Sequence, residues 1–249
     1  GTYKNIEYIV IENNSQKKET FAYYEKLQAE NPKVKVVFWE REFNYSAINN
    51  YGVGFAKGEY LLFLNNDTEI INPDCIEELL GYCMRDDVGI VGARLYYEDD
   101  TIQHVGVIIG LGGVAGHTFV GEPKDSLGYF GRIVTAQDYS AVTAACLMTK
   151  RKVFEKVNGF EEKLAVAFND VDFCLKVREA GYLVVYNPYA ELHHYESKSR
   201  GLEDTEEKVL RFQGEIRTFQ YRWKEILNEG DPYYSPNLTL DKTDFSLRI

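Results

Sequence analysis

Cations are scarce in this chain. Its 249 residues include 28 lysines and arginines against 39 aspartates and glutamates, a formal charge of −11. Proteins that wrap nucleic acid present a basic stripe, so the balance argues against such a partner, and it fits poorly with electrostatic docking on anionic lipid. No run approaches the ~20 consecutive apolar residues that a membrane span needs, and no basic-then-apolar leader opens the sequence. A soluble, cytoplasmic domain is expected, at most peripheral to the inner face of a membrane. Cysteine is sparse and unpatterned: Cys75, Cys83, Cys146 and Cys174 show no CxxC spacing. Cys75 and Cys83 fall on one predicted helix about 12 Å apart at ~1.5 Å per residue, beyond disulfide reach. Free, buried thiols in a reducing compartment follow. Internal repeats, low-complexity stretches and Ser/Pro-rich linkers are missing too. With 45% hydrophobic residues, the chain can bury a substantial core as one large domain, or one domain with a small appendage.

What is present alternates. Ile6 to Ile11 is an apolar run closed by the polar turn Glu12-Asn13-Asn14-Ser15. A helical stretch from Lys17 to Glu30 stops before Pro32, and Val34 to Phe38 forms a second strand. Ser46 to Ala56 reads as a helix ending near Gly58. Tyr60 to Leu64 is apolar on both faces, as suits a strand covered on each side. Asn72-Pro73 caps and opens another helix, and Val88 to Ala93 supplies another strand. Strands alternating with helices predict an α/β domain with a mixed, mostly parallel sheet, whose ligands bind beyond the carboxyl ends of the strands. Two polar turns hold that position, Glu12 to Ser15 and Asn65 to Thr68.

The middle, His104 to Ala145, contains eight glycines and little helical periodicity. It reads either as a long active-site loop or as an irregular hairpin insert. Helices follow over Arg151 to Val157 and Phe168 to Ala180, then strand-like pieces Tyr182 to Tyr186 and Ala190 to His193. A last helix, Glu203 to Leu227, carries Val209, Phe212, Ile216, Phe219, Trp223 and Ile226 at steps of three and four, one apolar stripe. Residues 1–202 are read as one domain, with 203–249 as a helix and tail packing on it.

Three clusters could carry chemistry. A carboxylate in Asn65-Asn66-Asp67, at the end of a buried strand, can hold a hard divalent cation that grips a diphosphate; the plain alternative is a turn satisfying its own backbone. In Asn169-Asp170-Val171-Asp172, residues two apart on a helix point about 200° apart, so at most one of the two aspartates faces a site. Capping by Asn169, with acids completing the first turn, is the competing account. His193-His194 end a strand, and a neutral imidazole could complete a cation site begun by Asp67. Lys198 and Arg200 follow and could pair with phosphate oxygens. His104 and His117 flank the glycine-rich middle and could touch an acceptor.

In their order, these pieces resemble a family 2 glycosyltransferase of the GT-A fold. Ile9 to Ser15 resembles the family's second strand and acidic nucleotide-binding turn, and Asn50-Tyr51-Gly52 through Ala56 to Tyr60 the approach to the metal strand. Asn65-Asn66-Asp67 stands at the DxD-type signature, Asn169 to Asp172 at the acidic element carrying the base, and His194 with Ser197 to Gly201 at the late histidine and phosphate-contacting loop. The tail through Pro232-Tyr233-Tyr234 is similar to that of bacterial polysaccharide-assembly members. Two departures stand out. Asn65 replaces the first acid of the DxD. The family's opening apolar strand, which helps cradle the nucleotide, has no counterpart before Thr2, so weak donor binding or inactivity of the chain as it stands is expected.

The resemblance implies inverting transfer from a UDP- or dTDP-sugar to a glycan or lipid-linked glycan hydroxyl. Asp67 and His194 would hold Mg²⁺ or Mn²⁺; Glu12, Asn14, Asn50, Asn65, Asn66, Lys198 and Arg200 would bind donor; Asp170 would be the base. His104, His117 and Asp172 are weaker acceptor-side candidates, beside a glycine-rich segment that would shape that site. Two other readings are a sugar nucleotidyltransferase, whose basic Gly-rich loop is not visible, and a noncatalytic GT-A scaffold or binding module, against which Asp67, Asp170 and His194 argue.

Overall fold

The computed structural model describes residues 1–195 and 205–248. Strand β1 (Tyr8–Glu12), helix α1 (Lys18–Glu30) and strand β2 (Val34–Phe38) form a β-α-β unit in which β1 and β2 pair in parallel. Helix α2 (Tyr45–Val53) follows, its first turn closed by Asn44, whose Oδ1 accepts from the Ala47 N–H at 2.9 Å. The chain then enters the main sheet through β3 (Tyr60–Leu64), β4 (Thr68–Ile70), helix α3 (Cys75–Cys83) and the long β5 (Val88–Tyr96).

The glycine-rich middle becomes an irregular hairpin insert rather than an open loop. It contains β6 (Ile102–His104), β7 (Val107–Ile109), β8 (Ala115–His117) and the short β9 (Gln137–Asp138). Its apolar residues are among the deepest in the molecule: Ile108, Phe119, Ile133, Tyr139 and Val142 are all buried. Gly106 shows why glycine is needed there. Its φ is +94°, and a Cβ would lie 2.6 Å from the Tyr139 ring. The tail closes over this insert, with Phe119 N–H donating to Thr243 O at 2.8 Å and the Phe119 and Phe245 rings stacked at 4.8 Å.

Strand β10 (Cys146–Lys150) returns through the middle of the sheet, followed by α4 (Arg151–Lys156), α5 (Asn169–Glu179), β11 (Leu183–His194), α6 (Glu206–Arg222) and α7 (Lys224–Glu229). The two strand-like pieces expected near the end are one strand, bulged between Asn187 and Glu191. The expected last helix is interrupted at Trp223, whose ψ of 27° leaves the helical range and divides α6 from α7.

The main sheet has the order β3-β10-β5-β11-β4, with β6 beside β5 and β9 beside β11. Strands β3, β5 and β11 run one way, with β10 reversed between β3 and β5, so this is a mixed sheet of the α/β class. Alternation along the strands separates two cores. Leu61, Phe63 and Ile90 join Phe154, Phe160 and Phe173 of the α4–α5 side; Val91, Leu95 and Met148 join Leu79 and Cys83 of α3. All four cysteines are free and buried, and burial pushes the Cys75 and Cys83 thiols up to about 12.

The β1–β2 pair is a separate sheet. Among the described residues, no strand pairs with the second edge of β1 or the outer edge of β3. Both edges line one cleft of about 2050 Å³, which also takes in Asn65, Asn66, Asp67 and His194.

Candidate active site

The Asn65-Asn66-Asp67 turn is stitched to its neighbours on both sides. Asn65 N–H donates to Ala145 O at 3.0 Å, continuing the β3–β10 pairing past its last residue, and Thr68 Oγ1 donates to Asn65 O at 2.7 Å. Beyond the turn, β4 pairs Thr68 with His194, and Tyr195 N–H donates to Asp67 O at 2.8 Å. The end of β11 is thereby held against the turn. It places His194 Nε2 at 3.3 Å from Asp67 Oδ1 and 3.2 Å from Asn65 Nδ2. Asp67 Oδ1 is buried and receives no hydrogen bond from the described residues.

A buried carboxylate oxygen without a donor is costly unless something positive reaches it. The donor set, one carboxylate oxygen and one imidazole nitrogen, suits a divalent cation. Metal–ligand bonds of ~2.1 Å at right angles set neighbouring ligand atoms about 3 Å apart, close to the spacing found. Among the described residues no third His, Cys, Asp or Glu completes a cluster, so the other positions would fall to water and substrate oxygens.

Asp170 reaches the same place through two residues of backbone. Its Oδ2 accepts from Ala144 N–H at 3.1 Å, next to the Ala145 carbonyl that takes Asn65. Its Oδ1 accepts from Val171 N–H at 2.8 Å. Tyr45 Oη donates to Ala144 O at 2.9 Å; burial, with the Asp170 charge close by, pushes that phenol up. Asp170 is the second residue of α5, which opens after Phe168, a non-glycine residue at φ 60°. The strained step is held from α6. Glu215, buried, accepts from Val166 N–H at 2.8 Å and Ala167 N–H at 3.1 Å, and the Phe168 ring lies 5.8 Å from Phe212 and 5.3 Å from Phe219. Asn169 is not the cap of this helix; it sits inside the first turn and its Nδ2 donates back to Val166 O at 2.9 Å.

The donor-side candidates separate. Glu12 lines the cleft, and its carboxylate closes its own turn by accepting from Ser15 N–H at 2.5 Å, Ser15 Oγ at 2.7 Å and Tyr24 Oη at 2.9 Å. Burial works to raise its pKa, and these donors together hold it below the ordinary value. Asn66 is exposed and lines the cleft. Asn14 is exposed at φ 56°, its Nδ2 bonded to Arg41 O at 2.9 Å. Asn50 does not line the cleft: its amide pairs with the Phe160 backbone, accepting from N–H and donating to O at 2.9 Å each. Lys198 and Arg200 lie outside the described residues.

On the acceptor side, His104 is fully buried, its Nε2 accepting from Gly106 and Thr143 N–H at 3.3 Å each. Burial, then the neighbouring His117 and His194, hold it well below the usual imidazole range. His117 packs its ring edge-on at 4.7 Å from His104. Asp172 faces away from Asp170 into the core. It accepts from Trp223 Nε1 at 2.9 Å and pairs with Arg222 Nε at 3.0 Å, tying α5 to α6. Two residues with no sequence signal enter here, Glu215 and Gln103, whose side-chain amide contacts both the backbone carbonyl and the ring of His194. Both act through tertiary contacts that spacing along the chain does not reveal.

Comparison with known proteins bears on the family and the fold. The profile described as Glycosyl transferase family 2 matches residues 1–157. The chain is 48% identical over 246 residues to the uncharacterized protein y4gI of Sinorhizobium fredii, covering 98% of this chain and 27% of that protein. It is 38% identical over 248 residues to the O-antigen biosynthesis protein RfbC of Myxococcus xanthus, covering 99% of this chain and 19% of that one. The chain therefore spans about a quarter or less of the length of these relatives. In fold it is similar to the crystal structure of GalNAc-T7 with UDP, GalNAc and Mn²⁺, with TM-score 0.67 and 14% identity over 89% of this chain and 44% of the other. A GT-A-type α/β sheet and a family match over well over half its length make this chain a member of Glycosyl transferase family 2.

Proposed function

We propose that the chain catalyses metal-dependent, inverting transfer of a sugar from a UDP- or dTDP-linked donor to a hydroxyl of a glycan or lipid-linked glycan, in the assembly of a cell-surface polysaccharide. The observation that carries this reading is the buried Asp67 Oδ1, without a hydrogen bond from the described residues and 3.3 Å from His194 Nε2. Asp67 and His194 would hold Mg²⁺ or Mn²⁺, which when bound supplies positive charge to the departing diphosphate. Asn65 and Asn66 flank that position on the same turn and would orient the diphosphate or ribose. Glu12, with its turn already closed, would present the 12–15 backbone to the base of the nucleotide. Asp170, fixed to Ala144 N–H, would take the proton of the acceptor hydroxyl as that oxygen attacks the anomeric carbon in line. Lys198 and Arg200 would add charge on the diphosphate side.

The relatives fit this reading in kind: one is named for O-antigen biosynthesis, and the structural neighbour was solved with UDP and Mn²⁺. Among the described residues no helix is long and apolar enough to cross a membrane. Calorimetric titration with UDP and with dTDP, each with and without Mn²⁺, tests the proposal. Metal-dependent binding is expected, and Asp67→Ala should abolish both the affinity and its metal dependence. Nucleotide binding by the variant equal to that of the parent chain would refute the cation site.

A further inference from the structure

A histidine offers a metal a lone pair from one ring nitrogen only, and which nitrogen is bare depends on what the other one bonds. Two atoms of one side chain decide this for His194. Gln103 is buried on β6, beside the end of β11. Its Nε2 donates to His194 O at 3.1 Å, and its Oε1 lies 2.7 Å from His194 Nδ1. The carbonyl of His194 can only accept, so the amide nitrogen must face it. That fixes the amide oxygen toward the ring, where it too can only accept. Nδ1 therefore carries the proton, and in the neutral ring Nε2 is left with its lone pair, facing Asp67 Oδ1 and the donating Asn65 Nδ2.

We propose that Gln103 is a positioning residue which locks His194 in the Nδ1–H tautomer and turns its Nε2 lone pair toward Asp67. The inference rests on the cation-site reading of Asp67 and His194. The backbone of His194 is already held by its pairing with Thr68, so the amide is not needed to place the strand. Its contribution is to the rotation and protonation of the ring. Gln103 is itself restrained. Its neighbour His104 pairs with Leu95 of β5, and its carbonyl lies 3.2 Å from His117 Nδ1. The backbone that carries the amide is thereby held in place.

The test is imidazole ¹⁵N NMR of the metal-free chain over a pH series, read where the His194 ring is neutral. His194 should show a single form with hydrogen on Nδ1. Gln103→Leu, which removes both polar contacts at similar size, should give a mixture of tautomers and weaken Mn²⁺ binding, read by electron paramagnetic resonance with UDP present, about 10- to 100-fold. Gln103→Glu keeps an acceptor toward Nδ1 and should restore the single form. Hydrogen on Nε2 in the parent chain would overturn the assignment, as would a folded Gln103→Leu variant that keeps the pure Nδ1–H form. Should Gln103→Leu fail to fold, the parent spectrum decides alone. A parent chain with the Nδ1–H form but no affinity for Mn²⁺ would sink the cation site and leave the role of Gln103 standing.

Discussion

Strand β2, VKVVF, and strand β10, CLMTK, are both five residues long and mostly apolar, yet all five residues of β10 are buried and only one of β2 is. The same contrast separates the layers they belong to. Helix α1 buries no residue at all, while β5 buries eight of its nine. The β1–α1–β2 layer is joined to the rest by a few ties: Glu7 Oε1 accepts from Lys57 and Gly58 N–H, a Cβ at Gly52 would strike Ile11, and the Trp39 and Tyr51 rings meet at 5.4 Å. Apolar composition alone therefore does not set burial; a strand is buried when both of its edges and both of its faces find partners. The consequence for function is a division. Asp67, His194 and Asp170 stand on the densely packed part, and the turn proposed to meet the nucleotide base stands on the thin one.

That division can be tested, beginning where the effect is greatest. Asp170→Asn should lower turnover by about 10²–10⁴-fold, the usual scale of a lost general base, and leave donor binding and the unfolding midpoint close to the parent's. Equal loss of binding and turnover would mean that Asp170 holds the fold rather than the acceptor proton. Next in size, Leu95→Ala in the main sheet should cost about 2–5 kcal/mol by denaturant unfolding, whereas Phe21→Ala on exposed α1 should cost less than ~1 kcal/mol. Similar costs at the two positions would erase the contrast between layers.

The smallest effect concerns Glu12. Its pKa lies below the ordinary 4.5 in the folded chain, so its contribution to stability is fully present above that value and is lost as pH falls through the lower, folded-state pKa. Glu12→Gln should therefore melt below the parent chain at pH 7, by the equivalent of about 1 kcal/mol, and the gap should close on acidification. A gap that persists unchanged to the acid limit would assign the loss to packing instead of charge.

Much of this architecture is legible in the residues themselves. Val34–Phe38 and Tyr60–Leu64 are strands at the expected positions, because a short apolar run bounded by turn residues has few other uses. Strand β10 is not legible, since Lys150 leads straight into α4 with no turn residue to mark a boundary. The hairpin insert is hidden for the opposite reason: its glycines resemble a mobile loop, and only the tertiary packing of Tyr139 against Gly106 shows that they are there to admit bulk. At the site, the gathering of Asp67 with His194 follows from two strand ends, which sequence can suggest. The grip of Gln103 on a ring 91 residues away, or of Glu215 on the backbone before Phe168, leaves no periodic trace.

The backbone of Ala144 and Ala145 sets a gauge. The Ala145 carbonyl takes Asn65 and the Ala144 N–H holds Asp170, so the separation between the turn and the proposed base is counted in peptide units and not in side-chain lengths. Side-chain replacement at either alanine leaves that count intact, whereas inserting or deleting a single residue would put the two ends out of step. Loops around the site can thus vary in sequence without altering the spacing between Asn65 and Asp170 that these two alanines fix.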